Sequence, residues 1–256
     1  MPYLAHPNAI TPGPDTVIWR YMDLPKFLML LEYKALYFSL LSELDDKWEA
    51  VIDRKMTRSV ANVFAPSVSG NVITTFQGFN KNIAVNCWYC GDEESVAMWA
   101  LYTSTVYGVA IKSSVGRLQR AVGEAREDIF LGTVEYRDHD DASGELYGRH
   151  DITPLKTVLQ KRVCYKHECE LRAFTYMQPA FPDNAQPGAT FFPSFPEQGT
   201  LINVNLRELI LSVTLGPKFP TWAVTLLSSA LKRVAIDLTV KKSDAFKPPP
   251  SPVIIG

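Results

Sequence analysis

Residues 161–174, with the sequence KRVCYKHECELRAF, constrain the fold of this chain more than any other stretch. The pattern predicts that a helix ends here and a strand begins, with Glu168, Glu170 and Arg172 at alternate positions. Successive side chains of a strand point to opposite faces, so these three ionisable groups would share one face and the small residues between them would face the core. Carboxylates spaced about 7 Å apart along a strand need either a basic partner or a chemical role.

The composition indicates a globular protein without a global charge bias. The 256 residues include 26 basic and 27 acidic side chains, and 46% of the residues are apolar. This balance gives no electrostatic reason to expect nucleic acid or an anionic membrane as a partner. Residues 1–15 lack the basic start and apolar block of a signal peptide, and the apolar run 27–41 is interrupted by charges and too short to span a bilayer. We therefore expect a cytoplasmic protein without a membrane segment.

The order of the predicted elements favours one α+β domain with a split or mixed β-sheet and flanking helices. Residues 1–16 form a Pro-rich lead, residues 17–240 the domain, and residues 241–256 an extended tail. Inside the domain, residues 177–200 contain five prolines and four phenylalanines, which is typical of an ordered irregular excursion. The Ser-, Gly- and Asn-rich stretch 66–82 predicts a loop, and a helix is expected from Thr153 to Val163.

The first predicted strand carries a basic residue between two aromatic ones, Trp19-Arg20-Tyr21. Trp19 and Arg20 must face opposite ways, so one of them is expected to be buried. A buried Arg20 would need an anion, which is either a carboxylate of this protein or a phosphate of a ligand.

A predicted helix carries Met98-Trp99-Ala-Leu-Tyr102. Met98 and Tyr102 are four residues apart and share one face, whereas Trp99 points about 100° away. Such aromatic side chains either pack in the core or offer a stacking surface for a planar ring.

The four cysteines and the acidic turn offer metal-site interpretations. The spacings Cys87-x-x-Cys90 and Cys164-x4-Cys169 are compatible with zinc. However, Cys164 is expected on a helix and Cys169 on the core face of a strand, so buried free thiols are the preferred interpretation. A hard divalent cation could instead be held by carboxylates, or the same residues could be structural turn and cap acids; they are Asp45, Asp46, Glu49, Glu168 and Glu170.

The motifs, taken in order, resemble a large and mostly bacterial family known as domain of unknown function 2971. The matching features cover about residues 17–240 and are Trp19-Arg20-Tyr21, Leu36-Tyr-Phe-Ser39, the turn Asp45–Glu49, Cys87, Met98–Tyr102, Gly108–Ile111, Val134-Glu-Tyr136, and Lys161 with Glu168, Glu170 and Arg172. The family usually has Asn-Asp-Pro in the turn, and this chain departs from it at Asp45 and Lys47.

That family is in turn similar to the ADP-ribosyltransferases, including those of toxin and phage-defence systems. The resemblance implies a split sheet with NAD in its cleft as co-substrate and no metal. It implies that Glu170 is the catalytic carboxylate and that Glu168 orients an acceptor, which is protein, nucleic acid or water. The residues implied to bind NAD are Arg20 at a phosphate or ribose, Tyr21 or Tyr102 against the nicotinamide ring, and Ser39 as a brace, with Trp99 as a further stacking candidate.

Two other functions remain open on the sequence. In the first, the same fold is a non-catalytic module that binds a ligand or protein, and Arg20 simply pairs with Glu168 or Glu170. In the second, the protein is a metal-dependent nuclease in which Asp46, Glu49 and the two later glutamates converge on one cation. The near-neutral charge leaves the oligomeric state open.

Overall fold

The structure, a computed structural model, describes residues 2–49, 51–79, 82–103, 106–141, 143–177, 195, 198–233 and 239–247. Most of the predicted excursion at 177–200 and the end of the predicted tail lie outside these residues. The strands are β1 (Val17–Asp23), β2 (Ala35–Leu40), β3 (Ile83–Cys90), β4 (Gly108–Ser114), β5 (Phe130–Thr133), β6 (Glu135–Arg137), β7 (Gln160–Arg162), β8 (Glu170–Tyr176), β9 (Gly199–Asn203), β10 (Ser212–Leu215) and β11 (Thr239–Lys242). The helices are α1 (Leu24–Tyr33), α2 (Arg54–Val63), α3 (Pro66–Phe79), α4 (Val96–Tyr102), α5 (Val115–Ala121), α6 (Leu155–Val158), α7 (Leu206–Leu209) and α8 (Thr221–Arg233).

Nine of the described strands form one mixed sheet. Seven lie side by side in the order β11-β10-β4-β1-β3-β2-β9, and β8 pairs with both β3 and β5. Within the described part of this sheet, β10 and β11 run parallel and the other pairs run antiparallel. Strands β6 and β7 form a separate parallel pair. The predicted α+β class, with a mixed sheet and flanking helices, is confirmed.

The long strand β3 is shared by two neighbours on one of its edges. Its other edge pairs with β8 over the whole of residues 83–89. On the shared edge, β1 pairs at Tyr89 and Cys90, whereas β2 pairs at Ala84 and Val85. The described strand pairs leave residues 86–88 of this edge without a partner strand. We call this gap between β1 and β2 the sheet opening.

The connection between β1 and β2 explains why these strands separate. Pro25 lies in the first turn of α1, where its missing N–H costs no hydrogen bond. The helix ends at Lys34, which adopts the left-handed conformation at φ 49° and turns the chain into β2. Phe27, Leu30 and Leu31 are buried on one helical face, which attaches α1 to the sheet. A helix of this length in place of a tight turn lets β1 and β2 diverge along β3.

The two faces of the sheet are covered differently. One face is mostly apolar and is covered by α1, α5, α7 and α8, although Arg20, Asn86 and Ser113 also lie on it. The opposite face has an aromatic cluster with α4 at the β1–β4 end and a second apolar cluster with α3 and α6 at the far end of β3 and β8. Because directly opposed residues share a face, Cys87, Arg172, Tyr89 and Glu170 lie on this second face, between the two apolar clusters. We call it the charged face.

Two predicted elements differ from the observed ones. The stretch predicted as a loop at 66–82 contains helix α3, which packs with α2 around Met56, Val60 and Phe76. This tertiary packing outweighs the weak helix propensity of its Ser, Gly and Asn residues. The helix predicted from Thr153 to Val163 is limited to α6, after which the chain pairs with β6 as β7.

The N-terminal lead lies against β5. Leu4 N–H donates to the Ile129 carbonyl at 2.9 Å, and Thr133 N–H donates to the Ile10 carbonyl at 2.9 Å. A search of the helices in the described ranges found none with the length and apolar character needed to cross a bilayer.

Candidate functional site

The candidate site lies where residues 161–174 join the charged face. The backbone of this segment differs from the predicted helix followed directly by a strand. A 3₁₀ turn runs from Val163 to Glu168, and Cys169 then adopts the left-handed conformation at φ 40° and ψ 54°. Strand β8 therefore begins at Glu170, and the predicted strand start at Glu168 is wrong. The left-handed residue interrupts the period-two alternation, so Cys169 is exposed and does not face the core as predicted.

Lys161 of β7 brings the two late glutamates together despite this break. Its Nζ lies 2.5 Å from Glu168 Oε2 and 3.4 Å from Glu170 Oε2. It also lies 3.2 Å from Glu49 Oε1, which arrives from the loop after β2. All four side chains are buried, so one ammonium group contacts three carboxylates away from bulk water and a second cation is needed beside it.

Arg172 supplies the second cation from inside β8. Its guanidinium is fully buried, and Nε donates to Glu170 Oε1 at 2.8 Å. One terminal nitrogen pairs with Glu49, and the other donates to the Val158 carbonyl at 2.7 Å. We call Glu49, Lys161, Glu168, Glu170 and Arg172 the ion cluster; it contains three acids and two bases, an excess of one carboxylate.

The electrostatics of the ion cluster keep its paired groups charged. Burial raises the pKa of Glu170, but the charges of Arg172 and Lys161 outweigh burial and lower this pKa to about 2. Burial lowers the pKa of Lys161, yet the charges of Glu170 and Glu49 hold it above its ordinary value. The pKa of Arg172 is raised in the same way by Glu170 and Glu49 against the effect of burial. The cluster is thus a network of ion pairs at neutral pH.

Three carboxylates of the nuclease hypothesis, Glu49, Glu168 and Glu170, converge on the ammonium group of Lys161, and the fourth, Asp46, pairs elsewhere. Asp46 lies 2.8 Å from a terminal nitrogen of Arg162, and Glu49 is shared between Lys161 and Arg172. In the part of the chain that the structure describes, no group of His, Cys, Asp and Glu side chains has the arrangement of a metal site. The geometry that a metal-dependent nuclease requires is not found there.

Two tyrosines contact the ion cluster from its sides. Tyr102, at the end of α4, donates from its hydroxyl to Glu168 Oε1 at 2.8 Å, and its side chain is 41% exposed. Burial and the charge of Glu168 raise the pKa of Tyr102, so the phenol keeps its proton. The Tyr136 hydroxyl accepts from the backbone N–H of Glu170 at 2.8 Å. Tyr102 therefore connects a buried carboxylate to the protein surface.

Arg20 lies in the sheet opening. Its guanidinium donates to the Cys87 carbonyl at 2.7 Å, on the edge of β3 where no described strand pairs. Cys87 also lies next to the ion cluster, because it is opposite Arg172 in the β3–β8 pair; burial, followed by the charge of Glu170, raises the pKa of its thiol. Burial lowers the pKa of Arg20, and the charge of Glu170 is among the effects that oppose this. Arg20 forms no ion pair with Glu168 or Glu170 among the described residues, so the pairing that the module hypothesis predicted is not observed there.

The other predicted binding residues lie apart from the ion cluster. Tyr21 is buried and accepts from Ser95 N–H at 2.7 Å, and its ring meets that of Trp99 edge-on at 4.9 Å between centroids. Trp99 is also buried and donates to Glu94 at 2.7 Å. Ser39 is half-buried on β2, opposite Val85. Of the aromatic candidates, Tyr102 has the exposed ring that stacking on a ligand needs.

None of the four cysteines forms a disulfide, and only two of them are partly buried. Cys87 and Cys90 on β3 are half-buried, whereas Cys164 and Cys169 are exposed. The predicted burial of the second pair is wrong because residues 163–168 form a 3₁₀ turn at the surface.

Two surface cavities lie outside the ion cluster. One of about 370 Å³ is lined by Trp99, Thr103, Lys218 and Phe246, and one of about 310 Å³ by Arg126, Phe130 and Tyr176 among others. Neither wall includes Arg20 or the two late glutamates. The candidate site is therefore defined by its side-chain chemistry at the sheet opening.

Sequence reasoning found Glu168, Glu170 and Arg20 but missed how three other residues contribute. Glu49 was considered only as a metal ligand or turn acid, although it bridges the two bases. Tyr136 entered only through the family resemblance, and Cys87 only through that resemblance and as a zinc candidate, so neither was expected beside the ion cluster. Glu49 lies nine residues after the end of β2. Its contact with β8 depends on the path of the loop after β2, which the local sequence does not reveal.

Comparisons with known protein families, with curated proteins and with solved structures gave no match. The function must therefore be argued from the site.

Proposed function

We propose that this protein is an ADP-ribosyltransferase-type enzyme that binds NAD at the sheet opening and cleaves its nicotinamide–ribose bond. The observation that carries this proposal is the placement of Arg20. Arg20 is half-buried and its guanidinium has a backbone carbonyl as partner; Cys87, which supplies that carbonyl, lies opposite Arg172 of an ion cluster with one carboxylate in excess. NAD has complementary charges, a diphosphate and a pyridinium ring.

Arg20 is suited to the diphosphate. A guanidinium binds phosphate oxygens through two parallel N–H donors, and the charge persists at any physiological pH. The bond to Cys87 fixes the side chain in the opening before a ligand arrives, which reduces the entropy lost on binding. Ser39 shares a face with Val85, whereas Arg20 shares the opposite face with Ile111, so no role in diphosphate binding is assigned to Ser39.

Tyr102 and the two late glutamates are suited to the nicotinamide end. The exposed Tyr102 ring can stack on the pyridinium, with Glu168 held against its hydroxyl. Glu170 stays ionised because Arg172 and Lys161 lower its pKa. Fixed carboxylates favour the positive charge that develops on the ribose when the glycosidic bond breaks.

The proposed step is a heterolytic cleavage. The bond between ribose C1′ and the nicotinamide nitrogen breaks, and its electron pair leaves with nicotinamide. The oxocarbenium-like ribose is then attacked by an acceptor nucleophile, whose proton passes to a carboxylate. We propose Glu170 as the carboxylate that stabilises the cation and Glu168 as the one that orients the acceptor, which is a protein, a nucleic acid or water.

The test is NAD binding and nicotinamide release by the purified chain beside three variants. We expect release by wild type, and loss of release in Glu168→Gln and Glu170→Gln. Glu208→Gln is the matched control, because this glutamate pairs with Arg120 at the surface and should release nicotinamide like wild type. Circular dichroism of each variant separates lost chemistry from lost folding, since Glu170 also holds Arg172.

A non-catalytic binding module is the second candidate, favoured by the ion pairs that engage every charged member of the ion cluster. It predicts that wild type binds NAD or a related anion without releasing nicotinamide, also when proteins and nucleic acids are supplied as acceptors. If wild type neither binds nor consumes NAD, the transferase proposal is rejected.

A further inference from the structure

Cys90 and Cys169 are neighbours across the end of the β3–β8 pair. The register places Tyr89 opposite Glu170, so one step further Cys90 lies opposite Cys169. Cys90 N–H donates to the Cys169 carbonyl at 2.8 Å, which continues the ladder by one bond. Hydrogen-bonded antiparallel pairs have Cα atoms about 5.5 Å apart, inside the range of about 4.4–6.8 Å that disulfides span.

The side-chain environment of this cysteine pair allows chemistry at the sulfur atoms. Cys169 is exposed, and Cys90 is half-buried beside it. The Cys169 thiol donates to the Lys166 carbonyl at 3.5 Å, a weak contact that rotation about one side-chain bond releases. Burial, followed by the neighbouring Cys169, raises the pKa of Cys90 to about 11.

We propose that Cys90 and Cys169 are an oxidative modification site that forms a reversible cross-strand disulfide by exchange with a low-molecular-weight disulfide such as oxidised glutathione. The exposed Cys169 thiolate attacks one sulfur of the small disulfide and releases one thiolate. The Cys90 thiolate then attacks Cys169 Sγ in the mixed disulfide and releases the second. Two protein thiols are oxidised, one small disulfide is reduced to two thiols, and the two protons end on the released thiols.

The position of Cys169 gives this bond a structural consequence. Cys169 separates Glu168 from Glu170 and is the left-handed residue between the 3₁₀ turn and β8. A bond to Cys90 ties this turn to β3 and restrains the backbone that sets the relative position of the two carboxylates. Formation of the disulfide does not depend on the proposed NAD chemistry; an effect on nicotinamide release does.

The experiment is a redox titration of the full chain in glutathione buffers, followed by alkylation, trypsin digestion without reduction, and mass spectrometry. Trypsin cleaves after Lys166, so Cys164 and Cys169 fall on different peptides. We expect the peptide with Cys169 to be linked to residues 82–112, which contain Cys90, and to be freed by reductant. The linked species should fall to background in Cys90→Ser and in Cys169→Ser.

The control variant is Cys164→Ser, which removes a neighbouring exposed thiol and should keep the link at the wild-type glutathione ratio. Cys169 is exposed, so Cys169→Ser should fold normally. It therefore still tests the link if Cys90→Ser folds poorly. A link that survives in Cys90→Ser assigns the bond to Cys87 and overturns the proposal. A Cys164–Cys169 link, or four free thiols at every ratio, overturns it equally.

Discussion

Arg172 and Glu170 point to the same side of β8, and Arg172 Nε donates to Glu170 Oε1 at 2.8 Å. Side chains two residues apart on a strand share a face, so one short segment carries both an acid and its counter-ion. Removing two charges from water is costly, and the pair is tolerated because Glu49 and the Val158 carbonyl satisfy the rest of the guanidinium. The stability of the charged face therefore depends on each buried ion having a partner.

The first prediction concerns the loss of that pairing. Arg172→Met should lower the free energy of unfolding by about 3–5 kcal/mol, because Glu49 and Glu170 each lose a buried partner. Urea denaturation followed by tryptophan fluorescence measures the change. The matched control is Arg120→Met, where an exposed pair with Glu208 is lost and the change should be about 0–1 kcal/mol. Equal losses in both variants would show that the buried network contributes no more than a surface pair.

The second prediction concerns the acid stability of the protein. The folded pKa of Glu170 is lowered to about 2, below its unfolded value of about 4.3. The stabilisation from the ionised group is therefore complete above about pH 4.3 and is lost as the pH falls towards 2. In Glu170→Gln this part of the pH dependence should disappear, so the difference in free energy of unfolding between wild type and variant should shrink between pH 5 and about pH 2.5. A constant difference over this interval contradicts the assignment.

The third prediction separates the ring of Tyr102 from its hydroxyl. Tyr102→Phe keeps the exposed ring but removes the donor to Glu168, at a cost of about 1.5 kcal/mol in stability. If NAD stacks here, Tyr102→Phe should lower kcat with little change in KM, whereas Tyr102→Ala should also raise KM. Tyr33→Phe, on an exposed tyrosine of α1, is the control and should leave both constants unchanged. Identical kinetics for the Phe and Ala variants would exclude a stacking role.

Periodicity predicted the part of the site that depends on local sequence. The alternation of Glu170 and Arg172 correctly placed both on one face, and the first strand and its basic residue were found where expected. Glu168 was correctly predicted to lie near Glu170, but it was assigned to the strand and not to the 3₁₀ turn before it. The left-handed residue between them is a cysteine, and only a glycine at that position would have indicated a left-handed conformation from the sequence. Glu168 and Glu170 lie close together because both pair with Lys161.

The remaining features depend on contacts between distant segments. Glu49 reaches Arg172 across 123 positions of the sequence, and Tyr102 reaches Glu168 across 66. Helix α3 forms because its apolar residues pack on α2, which a propensity count over residues 66–82 does not detect. The sheet opening itself follows from where β1 and β2 pair along β3, and neither strand encodes that register alone.

The last prediction concerns the geometry of Arg20. Arg20→Lys keeps the positive charge but replaces the planar fork with a single ammonium group, so one of two phosphate hydrogen bonds is lost. The dissociation constant for NAD should rise about tenfold, which corresponds to about 1.4 kcal/mol, and further in Arg20→Met. Isothermal titration calorimetry measures the constants, and thermal unfolding shows whether loss of the bond to the Cys87 carbonyl affects the fold. The control is Lys112→Met, which removes a charge from β4, the neighbour of β1 on the side away from the sheet opening. If Lys112→Met raises the dissociation constant for NAD as much as Arg20→Met does, binding depends on overall charge and Arg20 is not the residue that binds the diphosphate.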